Sequence, residues 1–300
     1  MFNFILIISY ITLGFVFKNI KLPIVDLHLK LNRFIIYIAL PAMILLQTPK
    51  IQFSMEMMIP VYIAWITMGS CAILIYFFSK RYNFSREVTG ALMLVTVLTN
   101  STFVGIPVIT AHFGNESLPF IVLYDQLGTS FWLATYGTFI AAYYGSKGAV
   151  SAWTISKKIA RFPPLIAFVF AIAFSSHTYP SFVVTLLEFL TMMIVPMALI
   201  SVGLQLEFKL ASSEIKPFVL SLVLKLIISP IIAIAVCYYF GWIDLLIGKV
   251  SILESSMAAM ITAGVIASIN GLAPRLSNAI VAYGILLSLF TSWILFLLIK

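Results

Sequence analysis

Ten runs of apolar residues, separated by short polar connections, constrain this chain more than any motif does. They fall at about 2–17, 33–48, 57–79, 89–111, 118–144, 163–176, 181–205, 216–240, 248–269 and 276–299. Roughly 20 apolar residues suffice to cross the hydrocarbon core of a bilayer as a helix. Hydrocarbon offers no partner to backbone N–H and C=O groups, so each span must satisfy them internally. A membrane β-barrel would show alternating polar positions, which these runs lack. Composition agrees, with 62% hydrophobic and 9% charged residues against about 25% charged in soluble domains. This excludes a cytosolic enzyme, a nucleic-acid-binding protein and a secreted disulfide scaffold. Cys71 and Cys237 sit inside apolar runs and read as small buried hydrophobes. No basic segment precedes the first run, which is therefore expected to be an uncleaved span.

The basic residues set an orientation. With the N-terminus outside, the inner loops hold Lys18, Lys21, Lys30 and Arg33; Lys80, Arg81 and Arg86; Lys147, Lys157, Lys158 and Arg161; Lys209 and Lys216; and Arg275. The outer segments hold only Lys50, Lys249 and Lys300. A bias repeated at every inner loop is the positive-inside pattern of an integral membrane protein. It predicts ten spans with both termini on the outer side, and it accounts for most of the net charge of +8.

The two halves resemble each other. Leu31, Phe34, Pro41 and Phe53 recur as Leu186, Phe189, Pro196 and Phe208, each 155 positions on. Both prolines fall in mid-span of the second helix of a half. Five spans is an odd number, so the second copy enters the membrane from the opposite side, an inverted repeat of the kind secondary transporters use. The expected organisation is a first five-helix repeat over 1–146, a basic cytoplasmic connection over 147–161 and a second, inverted repeat over 162–300. The fold class expected is an all-α polytopic membrane protein.

The fourth span is interrupted. In Leu98-Thr99-Asn100-Ser101-Thr102-Phe103-Val104-Gly105-Ile106-Pro107, Pro107 removes a helix N–H and Gly105 loosens the turn before it. Gly105 and Pro107 are therefore the expected crossover or hinge, with Asn100 and Ser101 beside freed backbone groups that suit an ion or an anion. The matching run of span nine, Leu253-Glu254-Ser255-Ser256-Met257-Ala258-Ala259-Met260, has polar residues and no proline. A proline kink without a site is the simpler alternative.

Three charges are read as embedded in spans. Glu254 lies about 9 Å deep from the outer side, Asp125 about seven residues in, and Lys225 about 13 Å deep near the midplane, at 1.5 Å per residue. Each costs at least about 2.5–3.5 kcal/mol at a bilayer centre if isolated. Lys225 is thus expected to pair with Asp125 or Glu254, leaving one acid for a cation or a transferable proton. A purely structural ion pair is the alternative. His28, His112 and His177 have no metal-ligand spacing, and no nucleophile elbow accompanies the serines.

These residues together resemble the auxin efflux carrier family. The likeness rests on Leu31–Ile44, on the Asn100-x-x-Phe103-x-Gly105-x-Pro107 run, on Lys225-Leu226…Pro230, and on Glu254-Ser255-Ser256-Met257 followed by Thr262-Ala263-Gly264. The resemblance implies ten helices in two inverted repeats, with spans 1, 2, 6 and 7 as a scaffold panel. Spans 3–5 and 8–10 would be a moving core, with discontinuous helices 4 and 9 crossing near the substrate. Carried over from sodium-coupled relatives of the wider group, it implies ion or substrate contacts at Asn100, Ser101, Thr129, Ser130 and Glu254; Ser255, next to Glu254, is a further expected contact. A Na⁺ would sit at Asn100, Ser101 and Glu254; no other metal and no cofactor is implied. Family members often carry Met-Pro-Pro-Met where this chain has Met257-Ala258-Ala259-Met260, so helix 9 is expected to be less sharply broken.

The function expected is secondary active transport of a small organic anion, a carboxylate or dicarboxylate, coupled to Na⁺ or H⁺. Lys225 or a half-helix N-terminus would meet the substrate carboxylate. A channel or ligand sensor on the same fold is the alternative, and an enzyme is not expected. The partners implied are the anion, membrane lipid and, through the scaffold panel, a second copy of the chain; nucleic acid is not among them. A bacterial inner membrane is the expected location.

Overall fold

The computed structural model describes residues 2–20, 26–50, 54–145, 163–174, 179–206 and 210–300. The basic connection at 147–161 and the Phe53/Phe208 match lie outside the described residues. The described residues form ten helical segments, and two of these are split, which gives twelve helices and no strand. They are α1 (Phe2–Asn19), α2 (Leu27–Gln47), α3 (Glu56–Arg81), α4a (Arg86–Val95) with α4b (Ser101–Phe113), and α5 (residues 118–144). There follow α6 (Pro163–Ala173), α7 (Ser181–Gln205), α8 (Ser212–Tyr239), α9a (Leu246–Ser255) with α9b (Ile261–Ile269), and α10 (Pro274–Ile299). Each coincides with one of the ten apolar runs.

Five of these helices, α2, α3, α7, α8 and α10, are long and apolar enough to cross a bilayer. The 26 residues of α3 extend about 39 Å, more than the roughly 30 Å of hydrocarbon. Large apolar side chains such as Ile73, Phe77, Phe182, Phe189 and Leu298 are exposed on the outside of the bundle. Water would penalise such a surface, whereas lipid tails match it. The chain is a polytopic, all-helical membrane protein.

Three prolines shape the helices without stopping them. Pro41, Pro107 and Pro230 each follow, by two residues, the end of a widened π turn: Ile35–Ala39, Ser101–Gly105 and Leu224–Ile228. A proline cannot donate to the carbonyl one turn back. The wider i→i+5 turn re-registers the bonds, as where Gly105 N–H bonds Asn100 O at 3.0 Å. The same turns rotate Ser101 and Lys225 into the bundle interior, where both are buried.

The helices sort by contact. α1 lies along the C-terminal half of α7, and α2 packs on both α6 and α7. α3, α4, α5, α8, α9 and α10 surround one another elsewhere, with α9a against α3 and α8, and α9b against α4a and α10. α4a starts at Ser85, whose hydroxyl accepts from Val88 N–H at 3.3 Å. In that first turn the exposed Glu87 carboxyl is held below its usual range by hydrogen bonds from its own backbone N–H and from Ser85. The Arg86 guanidinium donates to Tyr143 O and lies over the Tyr143 ring, tying this end to the close of α5.

Candidate functional site: a crossing of two broken helices

Residues 96–100 and 256–260 are the two interruptions, and they meet. Thr99 and Ala259 form an antiparallel bridge. Asn100 N–H donates to Ala258 O at 2.9 Å, and Met260 N–H donates to Leu98 O at 3.0 Å. Two stretches of unwound backbone inside an apolar bundle thus satisfy each other. Buried N–H and C=O groups must be paired, and hydrocarbon offers them no partner.

This geometry corrects two expectations. The interruption of α4 lies at Thr96–Asn100, ahead of Gly105 and Pro107, which are both helical. Helix 9 is also fully broken, although it lacks proline. Ser256 closes α9a with its N–H and its hydroxyl both bonded to Leu253 O, at 3.0 and 2.7 Å, and Met257 N–H bonds Glu254 O at 3.0 Å. Ala258 and Ala259 are buried at the contact; their small side chains let the two backbones approach.

The polar side chains gather around this crossing. Asn100 caps α4b, its Oδ1 accepting from Phe103 N–H at 3.2 Å, while its buried Nδ2 has no hydrogen-bond partner among the described residues. Asp125, on a π turn of α5 (Tyr124–Ser130), is buried and well supplied. It accepts from the Ser101 hydroxyl, from the Thr102 hydroxyl at 2.9 Å and from Gln126 Nε2 at 2.6 Å. Lys225 is buried on α8 and donates to Thr99 Oγ1 at 2.6 Å and to Val97 O at 3.3 Å. The expected pairing of Lys225 with Asp125 or Glu254 is not found: among the described residues no hydrogen bond or ion pair joins them. The ammonium instead sits at the C-terminal, electronegative end of α4a.

Glu254 differs from the other two charges. It is 0% exposed, and among the described residues neither carboxyl oxygen has a hydrogen-bond partner. It presses against α4b at Gly105, where a Cβ would stand 2.7 Å from both carboxyl oxygens. Only glycine leaves room for the carboxyl there. Asp125 and Lys225 lie within electrostatic reach of it.

The remaining expected site residues divide. Thr129, near Asp125 in sequence, is buried, and its hydroxyl has no hydrogen-bond partner among the described residues. Ser130 is half-buried, and among the described residues no side-chain hydrogen bond joins it to the cluster. Ser255 turns its hydroxyl to Ile252 O at 2.6 Å, within its own helix, and offers only its carbonyl, which accepts from Ser229 at 3.0 Å. Sequence reasoning missed the roles of Thr99 and Gln126. Gln126 is marked by its place next to the embedded Asp125, whereas Thr99 has no such neighbour and meets Lys225 from 126 positions away. It also overlooked Glu188, a further acid within α7, eight residues from its start.

A cavity of about 560 Å³ opens between the C-terminal end of α2, α4b, the start of α5 and α7. Gln47, Ile106, Thr110, Glu116, Glu188 and Thr191 are among its walls. Its size is that of a small-molecule site. Ile106, one of its walls, is the sequence neighbour of Gly105, against which Glu254 packs.

A helical bundle whose broken helices bring unwound backbone and buried charge to one point defines a membrane transporter. The comparisons agree. Residues 1–296 match a family described as membrane transport protein, and the chain belongs to it, the auxin efflux carrier family. It is 29% identical over 287 residues to an uncharacterised transporter of Methanothermobacter thermautotrophicus, covering 94% of this chain and 93% of that one. It is 30% identical over 272 residues to an uncharacterised transporter of Methanocaldococcus jannaschii, covering 86% of each.

Proposed function

We propose that this chain is a secondary active transporter that moves a small organic anion, a carboxylate or dicarboxylate, by alternating access, coupled to Na⁺ or H⁺. In this reading all ten helical segments span an inner (plasma) membrane as two inverted five-helix repeats, with both termini outside. α1, α2, α6 and α7 are the scaffold panel, through which two copies pair. α3–α5 and α8–α10 are the core that moves against it. The near-symmetric bridge between Thr99 and Ala259 supports the inverted relation. It pairs positions 160 apart, where Pro41 and Pro196 are 155 apart, so the second half carries five extra residues between its second and fourth helices.

The observation that carries the reading is the Glu254 carboxyl, buried at a crossing of broken helices and without a hydrogen-bond partner among the described residues. A fixed structural charge would have been given donors, as Asp125 has been. A carboxyl left open is suited to exchange a cation during the cycle. The anion is met by the unpartnered Asn100 Nδ2, by the N-terminal ends of α4b and α9b, and by Lys225 once it leaves Val97. With the termini outside, the 560 Å³ cavity faces outward and is the substrate's approach.

Reconstitution tests it. Uptake of malonate into proteoliposomes should saturate and depend on a cation gradient, and Glu254→Gln should remove that dependence while the protein still folds. Unchanged coupled uptake in Glu254→Gln overturns the reading. Flux that does not saturate identifies a channel, and binding without flux a sensor.

A further inference from the structure

We infer that the cavity between α2, α4b, α5 and α7 is a binding site for an organic cation with an apolar body, and that its occupant arrests the helices on either side. The binding rests on the cavity alone. The arrest of flux rests on the transporter reading above.

The walls of this cavity carry one sign of charge. Glu116 and Glu188 line it, and among its described lining residues there is no lysine, arginine or histidine. A carboxylate substrate gains nothing from such walls, whereas a cleft lined by one sign of charge gathers ions of the other. Glu188 is the more telling of the two. It is the eighth residue of α7, about 10 Å along the helix from its start. Its neighbours Phe182, Leu186 and Phe189 are apolar and exposed. A carboxylate within such a run is costly in lipid and is retained where it faces a cavity or a ligand. Neither Glu116 nor Glu188 has a side-chain hydrogen bond or ion pair among the described residues.

A buried amide points to a ligand independently. Gln47 lines the cavity and is 5% exposed, and its side chain has no hydrogen bond among the described residues. An amide so enclosed is costly until something bonds it, and its oxygen suits an ammonium. Thr110 and Thr191 donate their hydroxyl protons within their own helices, to Ile106 O at 2.6 Å and Leu187 O at 2.7 Å. What they keep for a ligand is lone pairs. Leu46, Leu118, Met192 and Val195 supply apolar wall. About 560 Å³ is far more than a bare metal ion fills and is the size of a small-molecule site. Gln47 and Glu188 belong to α2 and α7, whereas Thr110 is on α4b and Glu116 on the connection from α4b to α5. A ligand filling the cavity therefore touches both groups of helices. In the transport reading these are panel and core, and bridging them stops their relative movement.

The test titrates the purified full-length chain with 2-phenylethylamine, a cation at neutral pH, and with 2-phenylethanol, its neutral counterpart. A ligand of the folded state raises the melting temperature by mass action, and the alcohol reports what partition into detergent does alone. The amine should stabilise saturably and beyond the alcohol. Glu188→Gln should raise its Kd about tenfold and Glu116→Gln by less, and the double variant should respond to amine and alcohol alike. Both side chains are exposed, so the variants keep the fold. No saturable stabilisation by the amine overturns the inference, and so does an equal gain in wild type and double variant. Stabilisation by Na⁺ at the same concentration, lost in the same variants, assigns the cavity to an inorganic cation and overturns it as well. Malonate counterflow should fall in step with occupancy by the amine, and counterflow unslowed at saturation overturns the arrest. Absence of counterflow without the amine bears on the transporter reading alone and leaves the melting readout intact.

Discussion

Two pairs of helices in this protein come backbone to backbone, and they do so by different chemistry. Where α1 meets α7, the contact is made by Gly14 and Gly203. A Cβ on Gly14 would collide with Ile200 O, and one on Gly203 with Ile11 O. Ile7, Ile11, Leu199 and Val202 flank the seam, all buried. Where α4 meets α9, the backbones are unwound, and Asp125, Lys225 and Glu254 are buried around them. Small residues alone permit close apolar packing in a membrane. A seam of that kind joins two helices firmly at little cost. The crossing instead carries embedded charges, each expensive in lipid, and such groups are retained where they serve a function. In the proposed reading the first seam belongs to structure and the second to transport.

Substitutions at the two seams should therefore separate stability from transport. The largest effect on stability is expected at the first. Gly14→Val or Gly203→Val forces the helices apart, and overpacking of this kind costs about 3 kcal/mol. A thermal melt in detergent should show it, while the molecules that remain folded keep their ion dependence. A changed ion dependence would remove the distinction. Next comes Ser101→Ala, which takes one of three donors from a buried carboxylate and should cost about 2 kcal/mol. Denaturation of the variant, compared with Ser101→Ala in an Asp125→Asn background, measures the coupling between the two. Thr96→Val removes the 2.6 Å hydrogen bond to the Ser221 hydroxyl. It should cost about 1 kcal/mol by the same melt.

The fold was legible because hydrocarbon leaves a chain few options. Each apolar run had to become a helix, and each did. The site was legible through its costs: Asp125, Lys225 and Glu254 stood out because charge is out of place in such runs, and all three prove to be buried near one crossing. What could not be read was how the backbone gives way. Pro107 suggested a break at itself, yet the chain absorbs it in a π turn, as it does Pro41 and Pro230. The real interruptions depend on Thr99 and Ala259, residues 160 positions apart whose neighbouring carbonyls and N–H groups satisfy one another. No local pattern announces a pairing made only in three dimensions. The same applies to the partner of Lys225. Opposite charges suggested an ion pair, whereas the folded chain offers the ammonium a helix end and a hydroxyl.

The contact between Glu254 and Gly105 ties the two broken helices to the proposed chemistry, and one measurement tests it most directly. Malonate counterflow in proteoliposomes should be compared for wild type, Gly105→Ala and Gly105→Ala with Glu254→Asp. The added methyl occupies the space of the carboxyl, so Gly105→Ala should lose nearly all counterflow while its melting temperature changes little. The shorter aspartate should restore part of it. Counterflow at the wild-type rate in Gly105→Ala would contradict the account.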